Sequence, residues 1–169
     1  MAPHGFIREQ LTANHDVGKF NSGQPELDFW LRQHALSASG RDYSRTFIWH
    51  SGDGRVVAFF TLSGYMIDRD QLPEGKRKGE QREIPSILLG KLALDRSLQN
   101  HHLGEELIAD AVIEAERASN HVAARYLIVD AIDQTLVGFY EKFGFTRTTM
   151  GLLEHGTRLF ARIKDLGGY

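Results

Sequence analysis

The stretch that decides the fold is residues 87–118, which read ILLGKLALDRSLQNHHLGEELIADAVIEAERA. A short apolar run, Ile87–Leu94, is followed by polar turn residues and predicts a buried strand. Apolar residues then recur at intervals of three and four, which predicts an amphipathic helix beginning near Gly104. The first amides of such a helix lack partners and carry the positive end of its dipole. Strand, turn and helix together therefore predict an anion site, where a glycine lets a phosphate approach the backbone.

A glycine at a strand–helix junction is by itself more often an ordinary turn residue, and a second segment changes this interpretation. The downstream sequence contains a strand-like YLIVDA at 126–131 and an FYEKFGF motif at 139–145. Taken with LGKLALD at 89–95 and LGEELIADA at 103–111, these motifs resemble the GNAT superfamily of acetyl-CoA-dependent N-acetyltransferases.

Within that superfamily the chain is similar to the acetyltransferase toxins of bacterial toxin–antitoxin pairs, the TacT/AtaT type. FNSG at 20–23 and SRTFI at 44–48 also look like that group. The resemblance covers nearly the whole chain except the first few residues and the segment 66–83. It implies a single GNAT-like domain over residues 1–169.

Composition is that of an ordinary globular protein. The chain has 169 residues, 41% of them hydrophobic and 25% charged, with no cysteine and a net charge of −2. This excludes a disulfide framework and a thiol nucleophile, and it argues against a surface that is basic overall. No apolar run approaches the length of a membrane span and no signal-peptide pattern is present, so we expect a cytoplasmic protein.

The remaining elements follow from local patterns. A first strand is predicted over residues 6–11, and one helix from Pro25 to about Ser39. Residues 46–50 and 56–62 are rich in β-branched and aromatic residues around a glycine-containing turn, which predicts a hairpin. The polar segment 66–83 is predicted to be a long exposed loop.

The later part of the chain completes a predicted mixed sheet. Residues 126–129 read as a buried strand, residues 136–143 as a short helix ended by Gly144, and residues 158–163 as the last strand. The order of elements predicts an α/β fold: a mixed, mostly antiparallel sheet with a central parallel strand pair flanked by helices.

The resemblance also implies a set of site residues. It places the pantetheine arm of acetyl-CoA along Leu92, Ala93 and Leu94, and the pyrophosphate on the turn comprising His101, His102, Leu103, Gly104, Glu105 and Glu106. Phe139 is predicted to border the cofactor as well as to pack in the core. Tyr140 is the predicted general acid, because a phenol can protonate the departing thiolate. Without the resemblance, Tyr140 and its aromatic neighbours would be interpreted as a core stripe.

The pyrophosphate turn departs from the family signature, which is Gln or Arg, two residues, Gly, one residue, then Gly or Ala. Aligned from His101, the signature has histidine in its first position and Glu106 in its last. Asn100 and His102 stand where glycines are common in the toxins. Carboxylates here repel a pyrophosphate if they face the groove and are harmless if they point outward.

Several cations are candidates for contact with RNA. Arg45, Lys91 and Arg96 lie in or beside the resembled active-site segments, although ordinary ion pairing explains them equally well. The run Lys76-Arg77-Lys78 is interpreted as solvated surface. No HExxH or other metal-ligand spacing is present, so no metal site is predicted.

Three functions are open at the level of sequence. The first is a toxin that moves acetyl from acetyl-CoA to the α-amine of aminoacyl-tRNA and blocks translation, with a ribbon–helix–helix antitoxin and a second copy of itself as partners. The second is a GNAT enzyme acting on a small-molecule or protein amine. The third is a catalytically degenerate GNAT-like binding module, suggested by the altered pyrophosphate turn.

Overall fold

The computed structural model describes residues 5–154 and 156–167, except for the side chain of Leu152. Seven strands form one sheet in the order β1-β2-β3-β4-β5-β7-β6. The strands are β1 (Ile7–Gln10), β2 (Arg45–His50), β3 (Val56–Asp68), β4 (Glu83–Leu94), β5 (Tyr126–Ala131), β6 (Thr146–Leu153) and β7 (Gly156–Arg162). The helices are α1 (Pro25–Gln33), α2 (Ala35–Gly40), α3 (Leu103–His121), α4 (Gln134–Lys142) and α5 (Ile163–Leu166).

The pairing confirms the predicted mixed sheet. The strands β1, β2 and β3 pair antiparallel, as do β5, β6 and β7 among themselves in the order β5-β7-β6. Strand β4 pairs in parallel with β5 from Ser86 to Leu89 and then continues to Leu94. The predicted hairpin is confirmed as β2 and β3, although β3 runs on to Asp68.

The chain divides into two compact units, residues 1–63 with 90–111 and residues 64–89 with 112–169. The first unit has a core between the sheet and the first two helices, formed by Leu11, Phe20, Leu31, Ala35, Ile48, Val56, Phe59 and Ala93. The second has a core formed by Ile67, Leu72, Ile84, Tyr126, Ile128 and Phe160. Burial of these apolar side chains is the main stabilising contribution in each unit.

Two local predictions were wrong and one strand was missed. The single helix expected from Pro25 to Ser39 is two helices, because His34 leaves the helical region at φ −124°. Segment 66–83 is not one exposed loop: β3 and β4 extend into it, two 3₁₀ turns cover residues 69–71 and 74–76, and Leu72 is fully buried. Strand β6 was not anticipated because TRTTMGLL lacks a clear alternation of apolar and polar residues.

Local sequence explains where α1 and α4 begin. Proline occupies the first turn of α1, where its missing N–H costs nothing. The Asp133 side chain caps α4 by accepting a hydrogen bond from the Leu136 N–H at 2.9 Å. The chain leaves α4 through Gly144, whose φ of +102° is accessible to glycine at little cost. No helix within the described residues is long and apolar enough to span a membrane.

Candidate active site

The predicted pyrophosphate turn lies directly before α3. Residues 96–98 form a 3₁₀ turn after β4, and α3 begins at Leu103, which confirms that Gly104 lies in its first turn. Leu103 is buried, Gly104 is half-buried, and His101 and His102 are exposed. The first-turn amides of α3 therefore present the donors and the positive dipole end that an anion requires. Glu105 is exposed and Glu106 is half-buried.

Backbone geometry favours a different alignment of the family signature. Asn100 and His102 have φ values of +65° and +60°, the left-handed region that glycine adopts most readily. If the signature begins at Gln99 instead of His101, His102 takes its first glycine position and Gly104 its last small position. This alignment adds Gln99, which sequence reasoning missed, to the candidate site residues. The sequence contained a signal for this alignment, because it places Gly104 at the last position of the signature, which requires a small residue.

Gln99 also ties the turn to the end of the pantetheine strand. Its side-chain Nε2 donates to the carbonyl oxygens of Leu94 at 3.0 Å and of Ser22 at 2.8 Å. The backbone N–H of Arg96 donates to the carbonyl of Asn21 at 2.8 Å. These bonds hold the FNSG segment against the turn that leads to α3, which gives that motif a structural role.

Asp95 anchors the same junction by hydrogen bonds to both of its segments. Its carboxylate accepts hydrogen bonds from the N–H of Asn21 at 2.9 Å and from the hydroxyl of Ser97 at 2.7 Å. Burial by itself would raise the pKa of Asp95, but these hydrogen bonds outweigh it and lower the pKa. The carboxylate therefore stays charged and keeps the turn closed at neutral pH.

The predicted pantetheine strand is the last part of β4. Ala93 is buried in the core of the first unit, while Leu92 and Leu94 are half-buried. The N–H of Lys91 donates to the Thr61 hydroxyl at 3.0 Å. Because β4 pairs with β5 only as far as Leu89, its last residues extend beyond that parallel pairing.

The three predicted RNA-contacting cations all belong to the first unit but differ in their surroundings. Arg45 is exposed and pairs with Asp42 at 2.7 Å. Lys91 is half-buried, its amine lies 4.5 Å from the ring centroid of Trp30, and burial lowers its pKa. Arg96 is exposed and its guanidinium packs over Gly23.

Tyr140 lies in the last turn of α4, in the second unit. The residue is 6% exposed, and its ring packs edge-on against Phe139 and Phe145 at centroid distances of 5.6 and 5.5 Å. Burial, with a smaller contribution from the negative charge of Asp130, raises the pKa of the phenol well above its ordinary value of 10. The phenol therefore keeps its proton at physiological pH. The core-stripe interpretation and the general-acid interpretation both fit this burial.

A charged network accompanies Tyr140 in the same unit. Arg158 on β7 forms a bidentate pair with its cross-strand neighbour Asp130 on β5, with N···O distances of 2.8 and 2.9 Å. The same guanidinium donates to the hydroxyl of Tyr65. Pairing with Arg158 offsets the carboxylate charge that raises the pKa of the phenol.

A histidine–carboxylate cluster in the first unit was not anticipated from sequence. The Nε2 atoms of His15 and His50 lie 2.7 and 3.1 Å from one carboxylate oxygen of Glu9, the geometry of a candidate metal site. However, the Nδ1 of His15 accepts the N–H of Thr12, and that of His50 accepts the N–H of Gly52.

Because each Nδ1 accepts an amide N–H, a ring proton lies on each Nε2, directed at the carboxylate. A metal would need a lone pair on these Nε2 atoms, and metal-bound histidines normally donate a hydrogen bond through Nδ1. The cluster of Glu9, His15 and His50 therefore fits a hydrogen-bonded clamp better than a metal site. Residues so far apart in sequence carry no ligand-spacing signal.

An acetyl-CoA-dependent N-acetyltransferase needs helix N-terminal amides for the pyrophosphate and an acid for the departing thiolate. The turn before α3 and the buried Tyr140 after the next strand are candidates for these two tasks. Residues 80–164 match the Acetyltransferase (GNAT) domain family, and the chain belongs to that family.

Within that family, the chain is similar to acetyltransferase toxins. The chain is 35% identical over 130 residues to a tRNA-acetylating toxin of Mycobacterium tuberculosis, covering 77% of this chain and 78% of that protein. Among solved structures, AtaT complexed with acetyl-methionyl-tRNAfMet has a TM-score of 0.84 at 30% identity, covering 95% of this chain and 96% of that one. A tyrosine-to-phenylalanine mutant of AtaT bound to the C-terminus of the antitoxin AtaR and to acetyl-CoA has a TM-score of 0.77 at 28% identity, covering 96% of each chain.

Proposed function

We propose that this protein is the toxin of a toxin–antitoxin pair, an acetyltransferase that moves acetyl from acetyl-CoA to the α-amine of aminoacyl-tRNA and so blocks translation. The observation that carries the proposal is similarity over almost the whole chain to AtaT, solved with acetyl-methionyl-tRNAfMet, with the tRNA-acetylating toxin as a second relative.

In this proposal the first unit holds the cofactor. The pyrophosphate binds the first-turn amides of α3, at residues 103–105, with Gln99 fixing the approach to that turn. The pantetheine amides bind the backbone of Leu92–Leu94, in the part of β4 that continues past its parallel pairing with β5. Backbone donors suit this task because they are fixed before the cofactor arrives.

Tyr140 supplies the proton in the second half of the reaction. The acceptor amine attacks the thioester carbonyl, the C–N bond forms, and the C–S bond breaks to release the CoA thiolate. The phenol protonates that thiolate, and the proton lost by the amine later returns to the phenol through solvent. The raised phenol pKa keeps the acid form fully populated when the thiolate leaves, and it also makes the phenol a weaker acid than in water.

The acceptor explains why a dedicated general base is unnecessary. The amine of an aminoacyl ester is less basic than an alkyl amine, so a large fraction is neutral and nucleophilic near neutral pH. A lysine side chain or a polyamine would be almost entirely protonated under the same conditions. This difference favours the aminoacyl acceptor over the alternative amines.

The direct test is incubation of the protein with acetyl-CoA and bulk charged tRNA, followed by mass spectrometry of the released amino acids. We expect N-acetylated amino acids from charged tRNA and none from uncharged tRNA with free amino acids. Binding of acetyl-CoA without transfer to charged tRNA would reject the proposed function. Transfer to polyamines or lysine peptides instead would replace it with a conventional GNAT activity.

The assembly proposed for this toxin follows the same comparison. We expect residues 1–169 to act as one GNAT domain in a cytoplasmic homodimer, neutralised by a ribbon–helix–helix antitoxin. The structure of AtaT with the C-terminus of AtaR supports an antitoxin partner for this chain. Light scattering with and without the product of a neighbouring antitoxin gene measures both assemblies.

A further inference from the structure

A cavity in the second unit is lined by three cationic side chains. It has a volume of about 380 Å³, and its polar lining comprises Ser119, Asn120, Arg125, Arg162 and Lys164. We call it the basic pocket. None of these residues belongs to the predicted acetyl-CoA site or to the predicted RNA contacts, so the proposed reaction leaves the pocket unexplained.

Backbone hydrogen bonds anchor the segments that carry the cations of the basic pocket. The N–H of Ile163 donates to the carbonyl of Arg125 at 3.0 Å, and the N–H of Arg125 donates to the carbonyl of Pro85 at 2.7 Å. Ile163 is buried, whereas Arg162 and Lys164 on either side of it are exposed. The two cations therefore project to the surface from a backbone that is anchored between them.

The charges of the basic pocket are only partly neutralised. Arg125 uses its Nε to pair with Glu80 at 2.8 Å. Arg162 and Lys164 form no ion pair within the described residues. Asp165 lines a neighbouring cavity together with Arg162 and is the acidic residue closest in sequence. This concentration of cations, on a chain with net charge −2, makes the local electrostatic potential favourable to an anion.

The lining also indicates which anion fits. Guanidinium groups bind phosphate through two parallel N–H bonds, lysine binds it as a point charge, and hydroxyl and amide side chains add donors. Among the described residues, no aromatic side chain lines the basic pocket, so this lining offers no surface on which a base could stack. Backbone phosphate is therefore favoured over a nucleobase as the bound group.

We propose that the basic pocket is a subsite for a backbone phosphate of the tRNA acceptor, separate from the site that acetylates its aminoacyl end. This proposal rests on the proposed function. The pocket contributes affinity for the RNA without reading its sequence, because phosphate contacts position a nucleic acid and carry no base information.

The experiment uses Arg162→Ala, Lys164→Ala and the double variant, with Arg117→Ala as the matched control. Arg117 is 60% exposed on α3, pairs only with Glu114 among its described neighbours, and lies outside the pocket lining. The acetylation kcat/KM is measured over a series of salt concentrations for charged tRNA and for an amino-acid ester that carries no RNA.

We expect the double variant to lower kcat/KM for charged tRNA roughly tenfold and to reduce the slope of its logarithm against log salt by about 1–2. The ester rate and the affinity for acetyl-CoA should not change, and the control should stay within about twofold of wild type. An unchanged tRNA rate and salt slope in the double variant would overturn the subsite, as would an equal loss on the ester. A wild-type protein that acetylates the ester but no charged tRNA would instead reject the proposed function, and the subsite with it.

Discussion

Replacing Tyr140 with phenylalanine tests the proposed chemistry with a minimal change of shape. The ring is buried between Phe139 and Phe145, so a phenyl ring fits the same space with the same edge-on contacts. The variant should therefore fold and bind acetyl-CoA as the wild type does. It lacks only the hydroxyl proton that the proposed mechanism delivers to the CoA thiolate.

The expected loss can be bounded from the surroundings of the phenol. General acid catalysis contributes about 10²–10⁴-fold, and its efficiency falls as the acid becomes weaker. Because burial raises the pKa of Tyr140, the phenol is a weaker acid than in water, which favours the lower half of that range. We therefore expect kcat to fall about 100- to 1000-fold, equivalent to roughly 2.7–4 kcal/mol in the barrier.

Single-turnover transfer to charged tRNA, with acetyl-CoA affinity measured separately, isolates this chemical step. Tyr126→Phe is the control: that buried tyrosine donates to Glu80 at 2.6 Å, and its loss should cost about 1 kcal/mol of stability with little effect on turnover. Because burial raises the pKa of the phenol above its ordinary value, ionisation of the phenol should cause no alkaline loss of the wild-type rate at pH values where charged tRNA stays intact. Near-normal turnover by Tyr140→Phe would refute the role of the phenol.

Three further substitutions test the surrounding structure. Arg158→Gln leaves the charge of Asp130 unpaired and so raises the pKa of the Tyr140 phenol further. If that phenol is the general acid, we expect turnover to fall several-fold with unchanged acetyl-CoA affinity. A rate equal to wild type would remove this network from the mechanism. Gly156→Ala places a Cβ 2.1 Å from the backbone oxygen of Ala131 and should lower the free energy of unfolding, measured by chemical denaturation, by about 2–4 kcal/mol. Gly151→Ala is the control, because Gly151 also has a positive φ but lies in open space, and it should cost about 1 kcal/mol. Equal losses of stability would contradict the steric argument. Hydrogen bonds from two histidines lower the pKa of Glu9 below its ordinary 4.5, so the stability they add is present above pH 4.5 and lost as pH falls through the folded-state pKa. Glu9→Gln should abolish this acid dependence of the free energy of unfolding. Parallel curves of unfolding free energy against pH for the two proteins would rule the clamp out.

Sequence reasoning was most successful where one local pattern had one structural solution. The apolar run and the helical spacing after Ile87 predicted β4, and α3 begins at Leu103, next to the predicted Gly104. The hairpin of β2 and β3 and the short helix ending at Gly144 were predicted for the same reason. The family resemblance then supplied the acetyltransferase class, which the family match confirms.

Predictions failed where contacts with residues distant in sequence determine the structure that a local segment adopts. Polar composition around Leu72 predicted an exposed loop, yet packing against other core residues buries that side chain completely. The sequence alone did not decide whether the pyrophosphate signature begins at Gln99 or at His101. The positive φ of His102, which favours Gln99, is a property of the folded backbone.

By itself, the sequence determined the order of elements and the strand–turn–helix junction, because these depend on residues close together in the chain. The candidate phenol came from the family resemblance of the sequence. Tertiary structure alone decided the burial of Tyr140, the pairing of Asp130 with Arg158, the clamp on Glu9 and the convergence of cations in the basic pocket. Each of these depends on side chains that only folding brings within hydrogen-bonding or electrostatic range, and composition and spacing do not encode those distances.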